Sequence, residues 1–309
     1  MIEETFVLDP IPPFRLDVTV WALRRRASNQ IDHWDGTTYT RVLPLDGHPV
    51  KVTVSQSGPA THPRLLVRAS CSVALAQFTT RVSSTLQRML GCATDVSSFY
   101  AQARHDPELR ALAERFRGLK PPRFPSLFEA LLNAFACQQV SLDVGLLLLN
   151  RLTETYGLNY RDEQGVTFAF PGPEQLINVS EEQFRTLGWS HQKARAVLEL
   201  ARLLTRAPHT FSRLETMNNE EVCQALLPLR GVGRWTAEYV LLRGLGRIEV
   251  FPGDDVGAQK NLQLLFGLDE KLTYERVKAV TARWYPYAGF VYFHLLLHRL
   301  DQKGMLQGG

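Results

Sequence analysis

Cysteine is scarce in this sequence of 309 residues, and the four that occur lie far apart, at Cys71, Cys92, Cys137 and Cys223. No two of them form a CxxC pair, so neither a zinc site nor a disulfide framework is indicated. Scattered cysteines of this kind are typical of a reducing compartment. We therefore expect an intracellular protein, in the cytoplasm or nucleoid of a prokaryote or in the nucleus of a eukaryote.

Long hydrophobic runs are also missing. The longest, FVYFHLLLHRL at 290–300, is shorter than the roughly 20 apolar residues that a membrane helix needs, and it contains charged and imidazole side chains. The N-terminus carries no signal-peptide pattern, so we expect no membrane partner. His294 and His298 lie four residues apart and could together bind a metal. Because no third ligand accompanies them, packing is the favoured interpretation.

Neither sign of charge dominates the chain. The net charge is +4, and 21% of the residues are charged against 45% that are hydrophobic. This balance is typical of a globular protein that buries a sizeable core, and the length suggests two domains. The basic residues are mostly arginine, which suits phosphate contacts but is also common on ordinary surfaces. Composition is therefore compatible with nucleic acid without being evidence for it.

Residues 1–95 predict a small antiparallel β domain. Apolar and polar residues alternate over 14–23, 50–54 and 65–73, which indicates half-buried strands. Asp-Gly pairs at 35–36 and 46–47 are typical of hairpin turns. A helix over 74–90, with an apolar stripe that ends before a glycine, would cover the sheet. No catalytic constellation occurs here, so the domain is interpreted as scaffold.

Residues 96–309 predict a run of short helices. Each start is marked by a capping residue followed by helix-forming sequence, as in Asp106-Pro107 and the Ser126 to Glu129 capping box. Further starts are indicated at Ser141, Pro173, Ser180, Ser190, Asn218 or Asn219, Thr273 and Tyr287. Residues 158–172 are expected to be a loop, with a short hairpin as an option. The predicted class is therefore α+β, a β domain followed by a two-lobed helical domain.

The sequence LRGVGRWTAEYVLLRGL at 229–245 predicts two helices joined by a tight Gly231-Val232-Gly233 turn. Glycines permit a sharp bend that a Cβ would obstruct. The second helix then begins with free N–H groups and the positive end of its dipole, which suit a phosphate and recognise no particular base. A short glycine motif is weak evidence by itself, and an ordinary helix corner is an equal alternative.

Two groups next to this turn could carry chemistry. Asp254 and Asp255 precede a helical sequence, so either carboxylate could simply cap that helix. Trp235 and Tyr239 lie one helical turn apart and therefore share a face. Aromatic faces bind flat cationic groups by stacking and cation–π attraction, but such a pair is also normal in a core.

The segments GVGRWTAEYVLLRGL and IEVFPGDDVGAQ resemble the helix-hairpin-helix glycosylases of DNA base-excision repair, most of all the DNA-3-methyladenine glycosylase II type. The resemblance continues through EALLNAFACQQVSLDV (129–144), LGWSHQKARAVLELAR (187–202) and WYPYAGFVYFHLLLHRL (284–300). Several motifs in the order of the family are more specific than any one of them. The N-terminal β region also resembles the domain that this branch adds to the helical core, for which the alternative to a scaffold role is a secondary DNA contact.

The resemblance implies roles for individual residues. Asp255 matches the catalytic aspartate, and Gln139 matches the wedge that fills the gap left by an extruded base. Trp235 and Tyr239 would line the base pocket, where Leu296 replaces a tryptophan of the relative. Gln139 could instead be a polar residue between two helices. The residues implied to contact phosphate in the hairpin are Arg230, Gly231, Gly233, Arg234 and Thr236.

The resemblance also bears on cofactors. A monovalent cation would be held by the backbone carbonyls of Leu227, Leu229 and Val232, which no side chain can reveal. The four-cysteine cluster that some relatives use for an iron–sulfur centre is absent, so no cofactor is expected to be required.

The predicted function is hydrolysis of the N-glycosidic bond of alkylated purines, of the 3-methyladenine and 7-methylguanine type, in duplex DNA with damaged bases. Members that also cleave the strand carry a lysine after the hairpin, where this chain has Trp235, which predicts a monofunctional enzyme. The alternatives are a glycosylase with lyase activity on oxidised bases and a non-catalytic DNA-binding protein. We expect a monomer.

Overall fold

The chain begins with an antiparallel sheet in the computed structural model, which describes residues 2–307. The strands are β1 (Ile2–Leu8), β2 (His33–Trp34), β3 (Thr38–Leu45), β4 (His48–Ser57) and β5 (Arg64–Cys71). They pair in the order β1-β5-β4-β3-β2, and every pairing is antiparallel. Asp46 and Gly47 both have positive φ between β3 and β4, which confirms the predicted hairpin turn.

Helices make up most of the remaining chain. They are α1 (Leu16–Arg24), α2 (Phe78–Met89), α3 (Ser97–Ala103), α4 (Pro107–Arg115), α5 (Leu127–Cys137), α6 (Leu142–Tyr156), α7 (Pro173–Leu176), α8 (Glu181–Thr186), α9 (His191–Arg206), α10 (Asn219–Leu226), α11 (Arg234–Val240), α12 (Val256–Phe266), α13 (Tyr274–Thr281) and α14 (Ala288–Gln302). A π-helical turn at Leu241–Leu245 extends α11, and short 3₁₀ turns lie at Ala282–Trp284 and Met305–Gln307. The predicted α+β class is confirmed.

Most predicted helix starts are confirmed by their caps. The side chains of Asp106, Ser126, Ser141, Ser180, Ser190, Asn218 and Thr273 each accept a backbone N–H of the first turn. The optional hairpin in the 158–172 loop is present as β6 (Leu158–Asp162) and β7 (Gly165–Ala169). Among the helices of residues 2–307, none combines the length and apolar character that a bilayer span requires.

The prediction of a strand over 14–23 is wrong, because this segment forms α1. The residues at 16 and 18–24 are all buried, since α1 packs between the sheet and the helical core. A helix that is buried on every side shows no 3.6-residue period, and a short apolar run cannot then be assigned by periodicity. Arg25 ends α1 in the left-handed conformation, with φ 66°.

One continuous hydrophobic core joins the two regions, from Leu8 in the sheet to Leu300 in α14. The predicted domain boundary between residues 95 and 96 stays a prediction. A buried ion network crosses between the sheet and the helices as well. Arg41 of β3 contacts Asp32 at 2.7 Å and Glu129 of α5 at 2.6 Å, and all three side chains are buried.

We expect Arg41→Met to lower the free energy of unfolding by about 3–5 kcal/mol, because it leaves two buried carboxylates without their cation. Urea denaturation followed by circular dichroism measures this quantity. Arg81→Met is the matched control, since Arg81 pairs with Asp46 at a largely exposed position. The control is expected to change the free energy by less than about 1 kcal/mol. Equal effects of the two substitutions would contradict the role given to the network.

Candidate active site

A cleft of about 1500 Å³ opens between the start of α11, the start of α12 and one face of α14. The turn between α5 and α6 and the end of α1 complete its walls. The cleft brings together residues that are far apart in sequence, from Arg25 to Lys303. Among the predicted residues, Asp255, Trp235, Tyr239, Leu296, Gln139, Gly233, Arg234 and Thr236 line it.

Asp255 lies at the N-cap of α12 with its side chain in this cleft. Its Oδ1 accepts the backbone N–H of Ala258 at 2.8 Å, so the capping interpretation of this residue is confirmed. Its Oδ2 accepts Trp235 Nε1–H at 3.3 Å and the Tyr292 hydroxyl at 3.2 Å. The carboxylate is therefore oriented from three sides, by its own helix, by α11 and by α14.

Tyr292 is suited to act as a donor to this carboxylate. Burial raises the pKa of its hydroxyl well above the ordinary value, and the neighbouring negative charge of Asp255 adds to the effect. The phenol is therefore neutral over the physiological range and keeps its proton. A hydrogen bond donated to a charged carboxylate in a partly buried site is stronger than one between neutral groups.

Tyr239 and Arg25 form the inner end of the cleft. The rings of Trp235 and Tyr239 lie 5.3 Å apart between centroids, tilted by 33°. The Tyr239 side chain is only 2% exposed, and its hydroxyl accepts a hydrogen bond from Arg25 Nη1 at 3.0 Å. Arg25 Nη2 donates to Asn133 Oδ1 at 2.6 Å. The predicted shared face of the two aromatic rings is present.

The Gly-Val-Gly turn joins α10 to α11 as predicted. Gly231 has φ 79°, and a Cβ there would lie 3.0 Å from the Cβ of Ala196. Gly233 is the N-cap of α11, and a Cβ there would meet nothing within 4 Å. Gln138 Nε2 donates to the carbonyl of Gly231 at 2.8 Å and to Thr236 Oγ1 at 2.9 Å, which attaches the end of α5 to the turn.

Three of the side chains predicted to contact phosphate already have partners within the protein. Arg230 pairs with Glu199 at 2.8 Å. Arg234 pairs with both oxygens of Asp254 and lies 3.6 Å from the centre of the Tyr274 ring. The hydroxyl of Thr236 is buried against Gln138, so its side chain does not face an incoming phosphate. Backbone N–H groups are therefore the donors that the turn itself offers.

Gln139 projects from the turn between α5 and α6. It is exposed and has φ 55°, a conformation that side-chain-bearing residues rarely adopt. Leu296 lies on α14 one turn after Tyr292 and is partly buried at the wall of the cleft. Both residues thus belong to the same cleft as Asp255.

The carbonyls predicted to hold a cation lie at the end of α10 and in the turn. The carbonyl of Leu229 accepts the N–H of Val232 at 3.1 Å, and a carbonyl oxygen keeps a second lone pair for another partner. The side chain of Leu227 is exposed, so its backbone lies near the surface. The arrangement therefore remains compatible with a cation.

The histidines of α14 do not form a metal pair. His294 is fully buried against aromatic rings, and burial lowers its pKa to about 4. His298 bonds to Gln302 instead. Within residues 2–307, no group of three or more histidine, cysteine, aspartate or glutamate side chains is placed to hold a metal ion.

Sequence reasoning missed Arg25 and Tyr292. Arg25 lies just after the predicted strand over 14–23, where no pattern points to the cleft. Tyr292 precedes Leu296 by four residues, so helical spacing places the two on one face of α14. That spacing was a usable signal for Tyr292, whereas Arg25 is brought to the cleft only by the tertiary fold.

Relatives support the assignment of the helical core. The chain is 28% identical over 201 residues to a DNA-3-methyladenine glycosylase of Bacillus subtilis, covering 65% of this chain and 66% of that protein. A further match, at 26% over 178 residues, is DNA-3-methyladenine glycosylase 2 of Escherichia coli, covering 58% of this chain and 60% of that protein. The chain thus spans less than two thirds of the length of either relative.

The fold is that of a solved 3-methyladenine DNA-glycosylase from Archaeoglobus fulgidus, with a TM-score of 0.83 at 24% identity over 96% of this chain and 98% of that one. Residues 5–126 match the family model of the AlkA N-terminal domain. Residues 132–287, which are half of the chain, match the model described as HhH-GPD superfamily base excision DNA repair protein. The chain belongs to the HhH-GPD superfamily of base excision DNA repair proteins.

Proposed function

We propose that this chain is a monofunctional DNA glycosylase that hydrolyses the N-glycosidic bond of alkylated purines in duplex DNA. The observation that carries the proposal is the Asp255 carboxylate, held by three donors in a cleft beside Trp235. The names of the Bacillus subtilis and Escherichia coli relatives point to 3-methyladenine as a substrate type. Damaged duplex DNA is the proposed partner of a monomer.

The reaction requires the damaged nucleotide to leave the stack. Gln139 stands at the tip of an exposed turn, where it could fill the vacated space and hydrogen-bond the unpaired partner base. The extruded base would enter the cleft and stack on Trp235 and Tyr239, with Leu296 as an apolar wall. An aliphatic wall offers less stacking than a tryptophan, so it would relax the fit to any one base.

Cleavage passes through an oxocarbenium-like state on the sugar. The Asp255 carboxylate stabilises that cation and accepts a proton from the water that adds to C1′. Trp235 and Tyr292 keep one oxygen aligned while the helix N–H holds the other. Ring alkylation weakens the glycosidic bond, so one carboxylate is sufficient.

The Gly-Val-Gly turn is proposed to hold the DNA backbone through its N–H groups. Arg230 and Arg234 would strengthen this contact only by exchanging their carboxylate partners for phosphate. The carbonyls of Leu227, Leu229 and Val232 would hold a monovalent cation, which when bound supplies positive charge beside a phosphate. No cofactor is proposed for the cleavage itself, and no iron–sulfur cluster is proposed.

Two other functions compete with this proposal. A lyase needs an amine that attacks the sugar, and the matching position is Trp235, whose indole instead bonds to Asp255. Lys260 and Lys303 line the cleft, but neither is hydrogen-bonded to that carboxylate. A non-catalytic DNA-binding protein would need Asp255 Oδ1 as the cap of α12, but it would have no use for an Oδ2 that Trp235 and Tyr292 align in the cleft.

We expect the purified protein to release methylated purines from methylated duplex DNA and to leave intact abasic sites. Mass spectrometry identifies the freed bases, and gel electrophoresis without added alkali detects strand breaks. Asp255→Asn is expected to cut the rate of base release by at least about 100-fold, the lower range for one acid–base group. Asparagine also caps helices well, so folding and DNA binding are expected to persist.

Asp254→Asn is the matched control, because it changes the neighbouring carboxylate that pairs with Arg234. It is expected to retain far more activity than Asp255→Asn. Near-normal turnover by Asp255→Asn would reject the catalytic assignment. Strand cleavage by the wild type, with a covalent adduct after borohydride treatment, would support the lyase instead.

Tyr292→Phe is expected to slow base release by about tenfold, because it removes one hydrogen bond to the charged carboxylate and little else. Single-turnover kinetics at saturating enzyme measure the chemical step. Tyr285→Phe is the control, since Tyr285 lies just before α14 and is 71% exposed. Equal rates for Tyr292→Phe and the control would show that the hydroxyl does not orient Asp255.

Gly231→Ala is expected to weaken binding to all duplex sequences alike, because the left-handed φ and the nearby Ala196 force the turn to shift. Fluorescence anisotropy with several unrelated duplexes measures the effect. Gly47→Ala imposes a similar strain at φ 73° in the β3–β4 hairpin and serves as the control. A loss confined to one sequence would contradict a contact to phosphate.

A further inference from the structure

Arg25 is a buried cation at the inner end of the cleft. Its side chain and backbone together are 5% exposed. Its partners are the uncharged hydroxyl of Tyr239, the amide of Asn133 and, at 3.9 Å, the thiol of Cys137. No carboxylate among residues 2–307 lies within 4.0 Å of its guanidinium. A guanidinium does not lose its proton in a protein, so the site holds a full positive charge with no carboxylate in direct contact.

The backbone at Arg25 is also strained. Residues 2–307 contain four non-glycine residues with positive φ, and two of them, Arg25 and Gln139, line this cleft. Conformations of this kind persist where the surrounding structure enforces them, and they concentrate at functional sites. The strain at Arg25 turns the chain at the end of α1 and leaves its side chain at the inner end of the cleft.

The neighbouring charges do not neutralise Arg25. Arg243 is fully buried 5.8 Å from the centre of the Tyr239 ring and donates to the carbonyls of Ala22 and Leu23. Asp32 and Glu129 are buried carboxylates that attract Arg25 from a distance, but both are directly paired with Arg41. The inner wall of the cleft is therefore positive. The negative charge of the cleft lies elsewhere on its wall, at the Asp255 carboxylate that bonds to Trp235.

We propose that Arg25 is a specificity-determining residue that promotes the release of neutral, oxygen-bearing purines, which leave as anions, and gives no such help to purines that carry a fixed positive charge. The proposal rests on the glycosylase function proposed above and concerns the same cleft. Asp255 faces the part of the transition state that becomes positive, the sugar. Arg25 faces the part that becomes negative, the departing base, and fixed charges aimed at developing charge accelerate such steps.

The bond changes are simple. The C1′–N9 bond breaks and its electron pair stays on the purine, whose ring nitrogens and carbonyl oxygen share the negative charge beside Arg25. Water then adds its oxygen to C1′, and its proton passes to Asp255. The purine anion later takes a proton from solvent. A 7-methylated purine leaves as a neutral molecule, so a nearby guanidinium gives its departure no help and repels the positively charged starting base.

The test compares two duplexes that differ only in the damaged base, hypoxanthine or 7-methylguanine. Single-turnover rates of base release are measured for the wild type, Arg25→Met and Arg25→Lys. Methionine keeps the apolar stem without the charge, and lysine keeps the charge without the planar fork. Thermal melting establishes that each variant is folded.

Arg25→Met is expected to lower hypoxanthine release on the order of 100-fold, the effect of losing one electrostatic donor, with a much smaller loss or a gain for 7-methylguanine. Arg25→Lys is expected to keep most of the hypoxanthine release rate, because it keeps the positive charge. Equal losses on both duplexes, or no loss on either, would overturn the proposal. Release of neither base by the wild type would reject the glycosylase function itself, and the proposal with it.

A second measurement needs no variant and so does not depend on the folding of Arg25→Met. The wild-type rate for each base is divided by its spontaneous release rate under the same conditions. We expect the larger acceleration for hypoxanthine, because only its departing anion is stabilised by Arg25. A larger acceleration for 7-methylguanine would overturn the role given to Arg25.

Discussion

The site depends on the orientation of one carboxylate. Asp255 is held by its own helix, by Trp235 on α11 and by Tyr292 on α14, so three elements must pack correctly before it points into the cleft. The tight turn before α11 positions Trp235. The packing of α14 against α12 and α1 positions Tyr292. Folding and the chemistry of the site are linked through this one group.

The N-terminal region contributes more than a scaffold. Helix α1 is buried between the sheet and the helical core, and its last turn brings Arg25 to the inner end of the cleft. The Arg41 network and the continuous hydrophobic core fix α5, which carries Asn133 and the exposed turn at Gln139. The chemistry proposed for the cleft therefore draws on residues from both regions of the chain.

Local sequence signals predicted much of this structure. Capping residues such as Ser126 and Asn218 act within one helical turn, so each start could be placed without knowledge of the fold. Asp255 shows the limit of such signals, because the same residue is both a cap and a member of the cleft. Helix α1 shows another, since burial on all sides removes the periodicity that distinguishes a helix from a strand. Arg25 could not be predicted, because its role arises only when α1 meets α5 and α11.

The role of Asp255 can be observed in a crystal structure of the protein bound to duplex DNA that contains a cationic pyrrolidine nucleotide, an analogue of the oxocarbenium-like state. Such an analogue binds through the contacts that stabilise the transition state. We expect an everted nucleotide whose ring nitrogen contacts the Asp255 carboxylate, with Gln139 in the vacated space. A nucleotide that stays in the stack, or a ring nitrogen that contacts another group while Asp255 remains distant, would contradict this role.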